Sequence, residues 1–355
     1  MQDANTTASL RGIDSVDGTV AWASGTEGTV LKTTDGGAHW QKCAVPDGDK
    51  DGATLDFRGV QAFDAITAIV MASGPGEKSR LYKTSDGCAS WILLFTNPDA
   101  SGFWDGLQFI PAIGRDKGRM GRLIGDPVNG KFADFMTYDY GKTWGVDTQR
   151  YPEVASAKFG ESLFAASNSA MILIRKTPFF VTGGSASRSR TLELHMKHDP
   201  SILFNFVGGN IPGKHGDSSG AFSVAARLGP DAADAADAAK FIERATRVGD
   251  MFIAVGGDYT KPNESADTAA WSSDGGKHWA ASTIPPHGYR STVQWSEPLK
   301  LWITAGTNGS DISRDDGRIW QPLDNGNWNA LSLPFVVGPK GRIARINPEA
   351  LPPAK

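Results

Sequence analysis

Short apolar stretches recur along the chain, each ending in glycine and each followed by polar turn residues. They read Ala21-Trp22-Ala23-Ser24-Gly25, Val70-Met71-Ala72-Ser73-Gly74, Arg122-Leu123-Ile124-Gly125 and Phe180-Val181-Thr182-Gly183, then Ile253-Ala254-Val255-Gly256, Ile303-Thr304-Ala305-Gly306 and Phe335-Val336-Val337-Gly338. Runs this short, rich in branched residues and bounded by turns, predict buried strands rather than helices. Upstream of each lies the start of a further strand: Leu10-Arg11-Gly12, Phe57-Arg58-Gly59, Trp104-Asp105-Gly106, Gly160-Glu161-Ser162, Ser219-Gly220-Ala221, Tyr289-Arg290-Ser291 and Trp328-Asn329-Ala330.

Downstream, a turn motif repeats as Ser/Thr-x-Asp-x-Gly-x-x-Trp, the Asp-box pattern. Its copies run from Thr33 to Trp40, Thr137 to Trp144, Ser272 to Trp279 and Ser313 to Trp320; from Thr84 to Trp91 the pattern holds except that Cys88 replaces glycine. The carboxylate can accept hydrogen bonds from turn N–H groups, and the hydroxyl can do the same. Glycine admits positive φ where the chain reverses, and the indole is a large apolar wedge. Such a turn builds the fold and does no chemistry. Each repeat therefore reads as inner strand, second strand, third strand, Asp-box turn and outer strand. The fold expected is all-β, one seven-bladed β-propeller over residues 1–355. Its blades fall at about 10–50, 55–98, 103–150, 154–212, 218–285, 289–324 and 326–348. The last blade runs out into Pro352-Pro353 without an outer strand, so the residues before Leu10 are expected to supply it and close the ring.

Two stretches are irregular. From Ser187 to Pro212 no Asp-box appears, although Leu192-Glu193-Leu194 and Ile202-Leu203-Phe204 suit strands; the alanine-rich Asp231 to Ala239 predicts an exposed loop or short helix. The 42 glycines and 11 tryptophans suit many tight turns and packed sheets. A net charge of −3 gives no footprint for nucleic acid or an anionic membrane surface, and no apolar run approaches a membrane span. The polar start from Met1 to Thr7 is not a signal peptide, which leaves a cytoplasmic protein or the mature form of an exported one. A monomer is expected.

The stretch Leu10-Arg11-Gly12-Ile13, Ala21-Trp22-Ala23-Ser24-Gly25, Gly28-Thr29-Val30-Leu31-Lys32-Thr33-Thr34-Asp35-Gly36-Gly37 and Trp40 resembles a repeat of the photosystem II stability/assembly factor-like BNR propellers. The closing Gly338-Pro339-Lys340-Gly341-Arg342-Ile343-Ala344 is similar to that family's last blade. The resemblance covers nearly the whole chain and is poorest from 185 to 250. It implies a seven-bladed propeller, usually exported to the periplasm or outside the cell, that binds protein partners through an arginine patch on one face.

One position read across the inner strands gives Arg11, Arg58, Asp105, Glu161, Ser219, Arg290 and Asn329, expected to ring the channel mouth. Arg11, Arg58 and Arg290, with Asn329, are the candidate binding residues, suited to a peptide C-terminal carboxylate. The same charges could instead pair off as solvated salt bridges. After the second strand, Asp126 and Asp258 point to the same mouth, or serve only as turn formers. The competing reading is a glycoside hydrolase or lyase acting on an oligosaccharide, because Asp-box propellers include sialidases and xyloglucanases. Asp105, Glu161, Asp126 and Asp258 would then supply acid and base, or hold a Ca²⁺, with Tyr259 as the nucleophile. The chain lacks a sialidase Arg-Ile-Pro signature near its start, and no other cofactor is expected. A third reading is a structural module whose channel is plugged. Cys43 and Cys88, in neighbouring repeats near the Asp-box face, are candidates for a disulfide.

Overall fold

The computed structural model describes residues 1–110, 118–146, 156–174, 177–196, 202–229 and 249–353. The alanine-rich stretch at 231–239 lies outside the described residues. Among those described, every strand pairing is antiparallel and no α-helix occurs.

Six sheets form. The first joins β1 (Leu10–Ser15), β2 (Ala21–Gly25), β3 (Val30–Thr33) and β4 (Gln41–Lys42) in chain order. The second does the same with β5 (Phe57–Ala62), β6 (Ala68–Ala72), β7 (Arg80–Thr84) and β8 (Ile92–Thr96). The third uses β9 (Trp104–Phe109), β10 (Gly121–Val128), β11 (Lys131–Thr137) and β12 (Gly145–Val146).

The next sheet has nine strands. Its first part contains β13 (Glu161–Ser162) and β14 (Met171–Ile174), both paired with β15 (Thr177–Gly184), followed by β16 (Arg188–Met196) and β17 (Ile202–Val207). Its second part runs through β18 (Gly216–Arg227), β19 (Met251–Asp258), β20 (Ala269–Ser272) and β21 (Ala280–Ala281). Only the pairs Gly183–Gly220 and Gly184–Gly216 join the two parts. These glycines permit the junction: a Cβ on Gly220 would lie 2.2 Å from the Gly183 Cα. Two further sheets follow, β22 (Thr292–Ser296), β23 (Leu301–Gly306), β24 (Gly309–Ser313) and β25 (Gln321–Asp324), then β26 (Ala330–Ser332), β27 (Phe335–Val337) and β28 (Ile343–Arg345). The outer strand expected from the N-terminus is reduced to a single bridge, Gln2 to Ile343, with the Gly341 N–H donating to the Ala8 carbonyl at 2.8 Å.

The strands β1, β5, β9, β14, β18, β22 and β26 touch in that order, and β26 touches β1 again. The core is correspondingly divided among the spaces between successive sheets. Trp22, Val30, Phe57, Val70 and Tyr82 fill one; Leu10, Trp40, Phe335, Val337 and Ile343 fill the space between the first sheet and the last. The turn tryptophans pack into these spaces. Trp91 meets Trp22 edge-on at 6.5 Å, Trp40 meets Phe335 at 5.8 Å, and Trp279 lies 6.5 Å from Phe179. Trp144 packs on Phe95 and Phe109, and Trp320 joins the cluster of Ile253 and Trp302. Burying a side chain of this size contributes about 3–5 kcal/mol by truncation.

The five turns share one hydrogen-bond scheme. In the first, the Thr33 hydroxyl donates to the Asp35 carboxylate at 2.8 Å and accepts from the Gly37 N–H at 2.9 Å, while Asp35 accepts from the His39 N–H at 3.0 Å. Thr84–Asp86, Thr137–Asp139, Ser272–Asp274 and Ser313–Asp315 repeat it. Two consecutive residues in each turn have positive φ, and Cys88 holds φ +73° where the other copies have glycine. That residue is joined to Cys43 by a disulfide across the first and second sheets.

The disulfide closes a separation of 45 residues, which in the chain-entropy account contributes roughly 2–4 kcal/mol. Cys43→Ser with Cys88→Ser should lower stability by that order in denaturant titration; an unchanged midpoint would show that the cross-link adds nothing. Hydrogen bonds in the turns also hold carboxyls below their usual range: Asp86 falls to about 2, chiefly through the Ser90 hydroxyl, and Asp139 to about 2, chiefly through the Thr143 hydroxyl. Folding therefore favours their ionised forms. This contribution is complete above the unfolded value of about 3.9 and is lost as the pH falls through the folded value. The Tm should be level down to about pH 4 and fall toward pH 2, with a shallower fall in Asp86→Asn/Asp139→Asn.

Candidate functional site

The inner strands are not regular. In β1, β5, β9 and β18 the pairing register slips by one residue, leaving Arg11, Arg58, Asp105 and Phe222 as bulges. A bulge re-aims its side chain and sharpens the local twist. These four, with Ser162, Ser291 and Asn329 from the remaining inner segments, line one cavity of about 590 Å³. The inner strands approach each other closely here: a Cβ at Gly12 would lie 2.6 Å from the Ser24 Oγ and 3.2 Å from the Arg58 carbonyl oxygen.

One wall of the cavity is ionic. Arg58 donates through Nε to Asp56 at 2.8 Å and through Nη1 to the Ala165 carbonyl at 3.4 Å, and its guanidinium lies 5.8 Å from the Phe103 ring. Arg11 Nε is 3.8 Å from the same Asp56 oxygen, too far to hydrogen-bond, and has no other partner. Burial lowers the Arg11 pKa, and the neighbouring Arg58 charge adds to that, partly offset by Asp56. Asp105 is 1% exposed and its Oδ2 has no hydrogen-bond partner. Burial pushes its carboxyl well above the usual range, Asp126 pushes it further, and Arg58 opposes both. Burial also raises Asp126, whose Oδ1 accepts from the Leu163 N–H at 2.8 Å. The other wall is aromatic. Phe164 stacks on Phe222 with centroids 3.9 Å apart, and Tyr259 and Tyr289 meet Phe222 edge-on at 6.2 and 5.0 Å.

The cavity thus gathers Arg11, Arg58, Asp105, Asp126, Tyr259 and Asn329 from the residues expected at the mouth. Asn329 is partly committed to structure, donating to the Leu10 carbonyl at 2.7 Å. Four of the expected positions lie off the cavity lining. Arg290 is fully buried away from the cavity, its Nε bonded to Asp311 at 2.7 Å, and Ser291 takes the lining position. Glu161 is buried against Arg190, 2.7 Å from its Nε; burial alone would raise its pKa, but Arg190, the Lys158 N–H and the Thr182 hydroxyl bring it below the usual range. Ser162 lines the cavity instead. Asp258 does not line it; Thr260 and Ser218 hold its carboxylate at 2.7 and 2.8 Å and keep its pKa low. The expected position Ser219 is likewise displaced by Phe222, three residues on.

The signal for the correct register was a small residue before a branched aliphatic one: Gly12-Ile13, Gly59-Val60, Gly106-Leu107, Ser223-Val224, Thr292-Val293 and Ala330-Leu331. The residue preceding each pair is the one that lines the cavity. Asp56, Asp217 and the aromatic wall carried no such pattern. Among the described residues no group of three or more His, Cys, Asp or Glu is placed to hold a metal ion; of the carboxyls named for Ca²⁺, Asp105 and Asp126 share the cavity and Glu161 and Asp258 do not line it. No helix among them is long and apolar enough to cross a membrane.

Sheets of this size, each antiparallel and stacked face to face with its neighbours around one cavity, define a β-propeller. No family model and no curated protein sequence matches the chain. Solved structures do. A structure described as YCF48 bound to D1 peptide has TM-score 0.54 at 17% identity, covering 97% of this chain and 95% of its own. YCF48 from Cyanidioschyzon merolae has TM-score 0.55 at 16% identity, covering 97% of each chain. A GH74 xyloglucanase from Xanthomonas campestris reaches only TM-score 0.35 at 14% identity, with 86% of this chain and 47% of its own covered. The chain has a YCF48-like propeller fold, as the photosystem II assembly factor-like resemblance implied.

The buried Arg290–Asp311 pair gives a test of the frame. Arg290 and Asp311 are both fully buried, so Asp311→Ala would strand a guanidinium without its counter-charge and should cost about 3–5 kcal/mol. A urea midpoint within error of the unmutated protein would show that the pair is not structural.

Proposed function

We propose that the chain is a closed, seven-bladed β-propeller with Asp-box turns that works as an exported, non-catalytic scaffold, binding the carboxylate end of a peptide in this cavity. The reading is carried by Arg11 and Arg58, which come from adjacent sheets, share the single carboxylate of Asp56 and leave Arg11 Nε buried without a partner. A ligand carboxylate supplies the acceptors that this pair lacks, and guanidinium–carboxylate contacts are among the stronger and more directional hydrogen bonds. The aromatic wall gives a peptide side chain an apolar surface.

The cyclic contacts of the inner strands support ring closure, and the five identical turns support the Asp-box assignment. The Cys43–Cys88 disulfide supports an oxidising compartment. YCF48, similar in fold, is the protein solved with a D1 peptide. A glycoside hydrolase is the second reading, favoured by one observation, the Asp105 and Asp126 carboxyls in a common cavity.

Isothermal titration with peptides carrying a free C-terminal carboxylate, beside the same peptides as C-terminal amides, tests the proposal. The free acids should bind more tightly, and Arg11→Ala/Arg58→Ala should weaken them roughly 30-fold or more while the amides change little. Equal binding of acid and amide overturns it. Turnover of a glycoside panel, abolished by Asp105→Asn, would shift the assignment to the second reading.

A further inference from the structure

The cavity holds more carboxyl groups than a carboxylate ligand requires. Asp56 already offsets part of the Arg11 and Arg58 charge, standing 2.8 Å from one and 3.8 Å from the other. Asp105, Asp126 and Asp217 also line the cavity, and among the described residues none of the three has an ion-pair partner. Asp105 is the most telling. It is 1% exposed, yet its Oδ2 has no hydrogen-bond partner. A buried polar atom left in that state costs on the order of 1–3 kcal/mol, and a cationic donor on a ligand would satisfy it.

The neighbouring geometry narrows what that donor is. Asp105 and Asp126 flank the Trp104–Gly125 pairing of β9 and β10, so both carboxyls come from one rigid edge of a sheet. Arg58, from the next sheet, is near enough to act electrostatically on Asp105. The acidic pair therefore sits beside the guanidinium pair, and a single ligand can reach both. A divalent cation is a poor fit, because no third metal-ligating side chain joins the two.

We propose that Asp105 and Asp126 form a second subsite, which receives the cationic side chain of a lysine or arginine near the end of the peptide whose carboxylate rests on Arg11 and Arg58. The inference rests on the peptide reading above and specifies its ligand: a peptide end that is both anionic and cationic. Phe164, Phe222 and Tyr259 lie along the same cavity and can cover the alkyl stem of such a side chain. Burial and, after it, the Asp126 charge raise Asp105, and a bound ammonium or guanidinium offsets both by favouring the ionised form.

The test uses the intact protein and acetylated alanine-based peptides with one lysine placed in turn at each of the last four positions. Norleucine peptides, which keep the four-carbon stem and lack the ammonium, serve as controls, and every peptide is made as free acid and as amide. At least one lysine position should bind about tenfold tighter than its norleucine control. In Asp105→Asn/Asp126→Asn that advantage should shrink to within about twofold, while the preference for free acid over amide persists. If the double variant does not fold, Asp126→Asn alone should reduce the lysine advantage. Lysine and norleucine binding alike at every position, with the free-acid preference intact, overturns the second subsite and leaves the peptide reading standing. Absence of binding by any peptide, or of any free-acid preference, overturns both.

Discussion

The sheets in this molecule bury their faces against the sheets on either side, and among the described residues the apolar core lies in the spaces between them. Trp22, Phe57 and Tyr82 in one gap, or Trp40, Phe335 and Val337 in another, are apolar surface shared between neighbours. A sheet removed from the stack would expose both faces at once, at roughly 25 cal/mol per Å² of apolar area. The turn tryptophans strengthen this dependence, because Trp40, Trp91 and Trp144 each meet a ring on a neighbouring sheet. The carboxylate–hydroxyl hydrogen bonds of the turns fix where each indole emerges. Sheet order and cavity shape follow from that wedging.

The cavity is a by-product of the same stacking. Inner strands that converge have no room for large side chains at the point of closest approach, so glycine, serine, threonine or alanine stands there. The bulge just before it turns the preceding residue toward the open centre. The fold thus supplies one outward-aimed position per inner strand, and the chemistry of the site is the set of residues placed there. Arg11, Arg58 and Asp105 come from sheets adjacent in sequence, while Phe222 and Ser291 come from much later. The result is a cavity charged on one side and aromatic on the other.

Charges that do not face the cavity are absorbed in pairs. Arg122 with Asp134, Arg190 with Glu161 and Arg290 with Asp311 are all buried, each bonded through Nε at 2.6–2.7 Å. Desolvation makes such pairs weak contributors to net stability, but an unpaired partner would be strongly destabilising. Their geometry explains why Glu161 and Arg290 cannot serve a ligand: each already has a full set of partners. Arg11 and Asp105 differ because atoms of theirs remain unsatisfied.

The sequence determined what is local and repeated. The glycine-terminated strands, the five turns and the wedge role of the indoles are each encoded within about ten residues, because hydrogen-bond chemistry and side-chain alternation act over that range. Arg11, Arg58 and Asp105 were legible for the same reason, since Leu10-Arg11-Gly12, Phe57-Arg58-Gly59 and Trp104-Asp105-Gly106 repeat one local pattern. Asn329 kept that place in the last inner strand, while the strands between kept the fold and lost the pattern. There a shift of one residue exchanged a buried arginine for a lining serine, and a shift of three exchanged Ser219 for Phe222. Only the tertiary structure decided those registers, because strand pairing across distant segments chooses which residue bulges. It alone also brought Asp217, Tyr289 and the Phe164–Phe222 stack to the same cavity. Proximity between remote segments is set by how sheets pack, and no local pattern carries it.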